Sequence, residues 1–150
     1  MIGRSSPTGP VSTTLAVTRV RRPPPGRRVP GMTKVRQALG AWGERLAAAH
    51  LVAAGMVVLD RNWRGAGGEI DIIARDGDAV VFCEVKTRRG TVYGTPAEAV
   101  GWAKVRKVRH LATQWLAVSG VRPSEVRFDV VSVRAQRDAD PVVDHIRGAF

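Results

Sequence analysis

The stretch that most constrains this chain is Gly68-Glu69-Ile70-Asp71-Ile72-Ile73-Ala74, followed after a turn by Val80-Val81-Phe82-Cys83-Glu84-Val85-Lys86-Thr87-Arg88. Runs rich in Val and Ile on either side of Asp76-Gly77-Asp78 predict two strands joined as a β-hairpin. Ionised groups interrupt both strands, and a buried carboxylate is costly unless it is paired or binds a cation. Side chains alternate faces along a strand. Glu69, Asp71 and Ile73 therefore share one face, as do Glu84 and Lys86 on the second strand. A loop of two or four residues sets Asp71 opposite or diagonal to Glu84 on a common face, whereas a three-residue loop without a compensating bulge separates them. Two carboxylates that close repel, and the pKa of one rises unless a hard cation lies between them. The competing reading of Asp71, Glu84 and Lys86 is an ordinary Glu-Lys ion pair on a half-exposed sheet face.

Around the hairpin stands an ordered series of motifs. Arg61-Asn62-Trp63-Arg64 precedes it, Lys104 and Arg127-Phe128-Asp129 follow, and His145-Ile146-Arg147-Gly148-Ala149-Phe150 comes last. With Gly68-Glu69-Ile70-Asp71 and Glu84-Val85-Lys86-Thr87-Arg88, this series over about residues 34–150 resembles the YraN family of small bacterial proteins. The spacing of Asp71, twelve residues and then Glu84-Val85-Lys86 is similar to the active-site motif of the PD-(D/E)XK, or restriction-endonuclease-like, nucleases. Ile70 stands where that superfamily often has a proline. The archaeal Holliday-junction resolvases also share an early helical Glu, an Asp before a hairpin and a Glu-Val-Lys.

The resemblance implies a restriction-endonuclease-like αβββαβ core, an α/β fold with a mixed central sheet flanked by helices. It implies a metal-dependent nuclease that hydrolyses phosphodiester bonds in DNA, branched or structured DNA in particular. Glu44, Asp71, Glu84 and Lys86 are the implied catalytic residues. The implied cofactor is Mg²⁺ or Mn²⁺, held by Asp71, Glu84 and the Val85 carbonyl. Arg61 and Arg64 stand beside glycines that suit a phosphate-meeting loop, and Arg88, Arg89 and Lys104 complete the expected nucleic-acid contacts. The resolvase likeness adds a homodimer, because symmetric cutting of two strands takes two sites; the sequence itself shows no dimer surface.

Charge points to the same class of partner. The 150 residues carry a net charge of +11, and the first 33 contribute six arginines and no acid, leaving +5 on the remainder. A domain that is basic beyond its tail favours a polyanion, without separating DNA from RNA, a ribosome or an acidic protein. Two further classes therefore stand beside the nuclease: a catalytically silent nucleic-acid-binding module, and a basic interaction protein with an acidic partner. No apolar run is long enough to span a membrane. The one cysteine, Cys83, excludes an intrachain disulfide and a Cys-rich zinc site and reads as a small buried hydrophobe. The cytoplasm follows by default.

Residues 1–32 hold six of the nine prolines among Ser, Thr, Gly and Arg, the composition of a disordered basic tail, and residues 33–150 form the expected nuclease-like domain. A helix is predicted from Thr33, as N-cap, to about Ala54, with Gly55 as its stop. Val35, Leu39, Trp42, Leu46, Ala49 and Ala53 form its apolar stripe. Glu44 lies on the far side among Gly40, Ala47, Ala48 and Leu51, either as a surface helix former or, by the resolvase likeness, as a third acid of the site. Met56 to Asp60 reads as a strand and Arg61 to Gly68 as a polar connection. Gly65-Ala66-Gly67-Gly68 opens a strand rather than a helix, which rules out a dinucleotide fingerprint.

A second helix is expected from a Thr95 cap, with Pro96 in its first turn, to Ser119, stopped at Gly120. Trp102, Val105, Val108, Ala112, Trp115 and Leu116 form its apolar arc, and Arg106, Arg109, His110 and Thr113 its solvated or phosphate-facing side. Lys104 at the edge of the arc either snorkels or, like the helical Lys of the YraN proteins, faces the site. Val126 to Val133 and Val142 to Ile146 read as strands. Asp129 and His145 have no evident partner and default to structural roles, and His50 and His110 are unassigned. No His/Cys spacing suggests zinc.

Overall fold

The computed structural model of the chain describes residues 34–90 and 101–150. The expected tail over 1–32, the Thr33 cap and the Thr95-Pro96 helix start lie outside the described residues. In chain order the elements are α1 (Lys34–Ala53), β1 (Val57–Gly65), β2 (Gly68–Asp76), β3 (Ala79–Arg89), α2 (Trp102–Ser119), β4 (Glu125–Ala135) and β5 (Val142–Ile146). This is the αβββαβ core, extended by the edge strand β5. The five strands form one mixed sheet in the order β1-β2-β3-β4-β5. The only parallel pair is β3 with β4, joined by the crossover through α2; the other neighbours are antiparallel.

The central hairpin closes with the even loop. Asp76 pairs with Ala79 across Gly77-Asp78, and Gly77 takes φ 59°, as a two-residue loop of this kind requires. The register then runs back to Ile72 opposite Cys83. Each face of the sheet buries its own core. On one, Ala47 and Leu51 of α1 pack with Ile72, Ala74, Val81, Cys83, Val131 and Val133. On the other, Leu111, Ala112 and Trp115 of α2 pack with Trp63, Ile70, Ile73, Val80 and Phe82.

Three local expectations are corrected. The buried line of α1 is Gly43, Ala47 and Leu51 rather than the large-residue stripe. Trp42 and Leu46 flank the core, but Val35 is 60% exposed and Ala49 and Ala53 face outward. The reason is close approach: a Cβ at position 43 would overlap the Thr87 side chain of β3, so only a helix face of small residues can lie this near the sheet.

The segment Arg61 to Gly65 is not a loop but the second half of β1, pairing with β2 up to Gly65 opposite Gly68. Its tip is held by α2: Ala66 N–H donates to Gln114 Oε1 at 2.8 Å, and Gln114 Nε2 donates to the Ala66 carbonyl at 3.2 Å. Finally, α2 spans Trp102–Ser119 with an extended Gly101 (φ −68°, ψ 159°) at its N-cap. Trp102 does not join the apolar arc and is 83% exposed; Val105, Val108, Leu111, Ala112 and Trp115 carry the burial. Cys83 is fully buried, and burial foremost, with Asp129 nearby, pushes its thiol far above its ordinary range. Among the described residues no helix is long and apolar enough to cross a membrane.

Candidate functional site

The paired stretch of β2 and β3 ends at Ile72 opposite Cys83, and Asp71 and Glu84 are the first residues beyond it. There the pleat breaks. Ile70 packs on the α2 side and Ile72 on the α1 side although their parity is the same. Opposite Asp71, Asn62 of β1 takes a left-handed φ of 49°, uncommon for any residue but glycine. The Asp71 carboxylate fills the resulting fork, its Oδ2 accepting the Val85 backbone N–H at 2.8 Å in place of a main-chain carbonyl. Asp71 thus caps the ladder with its side chain.

Four charged groups gather around it. Glu84 is 5% exposed. Its Oε1 accepts from Lys86 Nζ two residues along β3 and from Lys104 Nζ in the first turn of α2, each at 3.0 Å. Lys104 therefore reaches the sheet rather than snorkelling to solvent. From the other helix, Glu44 follows Gly43, so the close contact of Gly43 with Thr87 brings Glu44 down to the sheet. Its Oε2 accepts from Asn62 Nδ2 at 2.7 Å. Sequence reasoning missed Asn62. Its position within a polar motif was visible, but its tether to Glu44 depends on β1 running on past Asp60.

Burial, then the charge of Glu84, push the Asp71 carboxyl up to about 7; the Val85 N–H opposes this, Glu44 adds to it and Lys104 offsets a part. Among the described residues Glu84 has two ammonium partners, whereas Asp71 has a single backbone N–H. Among the described residues, no three His, Cys, Asp or Glu side chains gather closely enough to cage a metal. The oxygen donors at the fork are hard and under-neutralised. They suit Mg²⁺ or Mn²⁺, ions that take one or two carboxylates and complete their shells with water and phosphate.

The expected nucleic-acid contacts do not all converge. Arg61 is half-buried in β1, its Nε enclosed with no hydrogen-bond partner. Arg64 pairs with Glu69 at 3.3 Å on the surface. Arg88 and Arg89 end β3 and line a groove with Val35, Arg36, Leu39 and Thr87. Only Lys104 touches the acidic cluster.

A second polar cluster lies towards the hairpin end of the sheet. Asp129 is fully buried. It accepts from Arg127 Nε at 2.9 Å and the Gly148 N–H at 3.0 Å, and its Oδ2 lies 2.7 Å from His145 Nε2. Arg127 also bonds Asp76 at 3.0 Å, and Arg147 reaches the same carboxylate at 3.3 Å. The His145 ring meets His50 of α1 edge-on, 5.8 Å between centroids. Burial alone would raise the Asp129 carboxyl, but Arg127, the Gly148 N–H and His145 outweigh it and hold it below the usual range. The alternate-residue pattern Arg127-x-Asp129 was a legible hint of this network. His145 was not, because only the β4–β5 pairing brings it over.

The comparisons with known proteins agree with this extent. The chain is 54% identical over 114 residues to a UPF0102 protein of Nocardioides sp., covering 76% of this chain and 92% of that protein. It is 55% identical over 113 residues to one of Rhodococcus opacus, covering 75% and 96%. It is 50% identical over 117 residues to one of Frankia alni, covering 78% and 98%. The profile of the Uncharacterised protein family UPF0102 matches residues 43–133, a span that takes in Glu44, Asn62, Asp71, Glu84, Lys86, Lys104 and Asp129, and the chain belongs to that family.

Proposed function

We propose that this UPF0102 protein is a divalent-metal-dependent nuclease that hydrolyses phosphodiester bonds in DNA, with branched or structured DNA as its preferred form. The observation that carries this reading is the fork, where Asp71, half-buried beside Glu84 and Glu44, has no cationic partner at hydrogen-bond distance among the described residues, while Lys86 and Lys104 stand 3.0 Å from Glu84. The likeness of the motif series to the YraN proteins, the PD-(D/E)XK nucleases and the archaeal resolvases supports it. Asp71 and Glu84, with the Val85 carbonyl, are the residues that would hold Mg²⁺ or Mn²⁺. When bound, such an ion polarises the phosphate and acidifies water. Lys86 is placed to stabilise negative charge growing on the phosphate oxygens. Glu44, fixed by Asn62, keeps a third carboxylate at the rim. Such a role belongs to the cytoplasm.

A second reading rests on the paired lysines. Glu84 neutralised by two ammonium groups is also what a nucleic-acid-binding module without catalysis would keep. Cleavage of plasmid, single-stranded and four-way-junction DNA with Mg²⁺ or Mn²⁺ separates the two. The nuclease reading expects product that disappears with chelator and in both Asp71→Asn and Glu84→Gln. Equal product from wild type and Asp71→Asn would mean a contaminant and defeat it. Calorimetric Mn²⁺ titration of the same proteins tests the ion directly, with heat of binding expected from wild type and none from Asp71→Asn.

A further inference from the structure

The first turns of α2 are built against local helix energetics. Lys104, Arg106, Lys107 and Arg109 all fall in the first half of Trp102–Ser119, the positive end of the helix dipole, and the helix contains no acid. Lys104 is paired with Glu84. Lys107 lays its stem against Gly68 of β2. The Arg109 guanidinium lies 5.2 Å above the Phe128 ring. Among the described residues, Arg106 and Lys107 have no carboxylate within ion-pair distance.

Trp102, Arg106, Arg109 and Thr113 follow one another at helical spacing and make a single exposed stripe. At its head Trp102 is 83% exposed, the most exposed of the large hydrophobics among the described residues. Cations where the dipole disfavours them, beside an exposed indole, describe a surface suited to a flat anionic partner.

We infer that this stripe of α2 is a stacking platform for nucleic acid with unpaired bases: Trp102 stacks on an exposed base while Arg106 and Lys107 hold the flanking phosphates. Charge complementarity argues for the occupant. A membrane is a poorer match, because the apolar face of α2 is already buried in the core and, among the described residues, Trp102 has no apolar neighbour on the exposed stripe. Base stacking on an aromatic side chain is tolerant of sequence and specific for bases freed from a duplex. Trp102 lies in the same helical turn as Lys104, whose ammonium touches Glu84. Residues two apart on a helix face different ways. A strand stacked on Trp102 therefore meets the fork by passing around the first turn of α2 to the Lys104 side, and the preferred substrate of the site is DNA with unpaired nucleotides beside the cleaved bond. The placement relative to cleavage rests on the nuclease reading; the platform itself does not.

The test uses the full chain in chelator, so that binding is read without cleavage. Fluorescence polarisation compares a labelled oligo-dT strand with a blunt duplex of the same length, for wild type, Trp102→Ala, Trp102→Phe and Arg106→Gln. Trp102→Ala is expected to weaken single-strand binding about ten- to hundredfold and duplex binding less than about twofold, with Trp102→Phe near wild type. Arg106→Gln should lower the salt slope by about 0.7. Unfolding midpoints equal to wild type, expected for an exposed residue, certify the variants. Unchanged single-strand affinity in Trp102→Ala overturns the platform, as does equal loss on strand and duplex. A tryptophan blue shift with phosphatidylserine vesicles, absent in Trp102→Phe and not matched by any response to the oligonucleotide, overturns it in favour of a lipid surface. Trp102-dependent strand binding without cleavage under any metal upholds the platform and defeats the nuclease. Metal-dependent cleavage with Trp102-independent binding does the reverse.

Discussion

Two aspartates are drawn into this sheet, Asp129 fully buried and Asp71 half-buried, and they are treated in opposite ways. Asp129 is enclosed completely and surrounded by an arginine, a backbone N–H and a histidine, so its carboxyl stays well ionised despite its burial. Asp71 receives one backbone N–H and is crowded by Glu84 and Glu44, and its carboxyl rises to about 7. A carboxylate with its full complement of donors is fastening structure, here β4 to β5 and the following Arg147-Gly148. A carboxylate left short of positive charge beside others of its kind is destabilising unless something else arrives. Strongly perturbed groups of the second kind cluster at functional sites, which is why the fork, and not the better-connected cluster, is the candidate site.

The contrast can be broken most directly at Asp129. Replacing it with Ala strands Arg127 and His145, and a loss of about 3–5 kcal/mol is expected in urea unfolding. A loss below about 1 kcal/mol would mean that the network is ornamental. Because its folded pKa is lowered, the contribution of Asp129 is present above the ordinary carboxylate range and is lost as pH falls through the folded value.

Asp71 has the opposite sign. Its folded pKa is raised, so stability is full below the ordinary carboxylate value and is lost as pH rises through about 7. Asp71→Asn should therefore be more stable than wild type at pH ~8.5, by on the order of 1–3 kcal/mol, and equal to it only at pH ~3.5, below the ordinary carboxylate value. Adding Mn²⁺ at the higher pH should restore wild type and leave the variant unmoved. A variant less stable than wild type at both pH values would erase the distinction between the two aspartates.

A smaller effect is expected at Asn62, where Ala both strains the positive φ and releases Glu44. Asn62→Ala should be less stable than Asn62→Gly by about 1 kcal/mol, although both lose the Glu44 bond. Smallest of all, Arg64→Gln breaks only the exposed pair with Glu69 and should change stability by less than about 1 kcal/mol, less still in high salt.

The hairpin was legible because an Asp-Gly turn sets its own loop length, and loop length sets the register of β2 on β3 up to Ile72 opposite Cys83. The order of elements was legible from apolar runs and glycine stops. Other features depend on neighbours that a linear reading does not see. The buried face of α1 was misjudged because periodicity weighs large residues, while Gly43 and Ala47 win burial by letting backbones approach. Trp102 reads as core in any count of apolar residues, but it stands at the first position of α2, at the margin of the arc whose burial Val105, Val108, Leu111, Ala112 and Trp115 carry. Arg61 to Gly65 looks like a loop because its residues are polar, yet β2 supplies the hydrogen bonds that make it strand. His145 and Asp129 are 16 residues apart and meet only across a sheet edge.

The contact between Gly43 and Thr87 has a consequence for how the acidic cluster is spaced. The distance from α1 to β3 is gauged by a hydrogen atom, and Glu44 rides on the next residue. A methyl group at position 43 would wedge the helix outward and carry Glu44 from the rim with every charge in the cluster left unaltered. Reach and chemistry at this centre are therefore separately adjustable, and the dial for reach is a residue with no side chain.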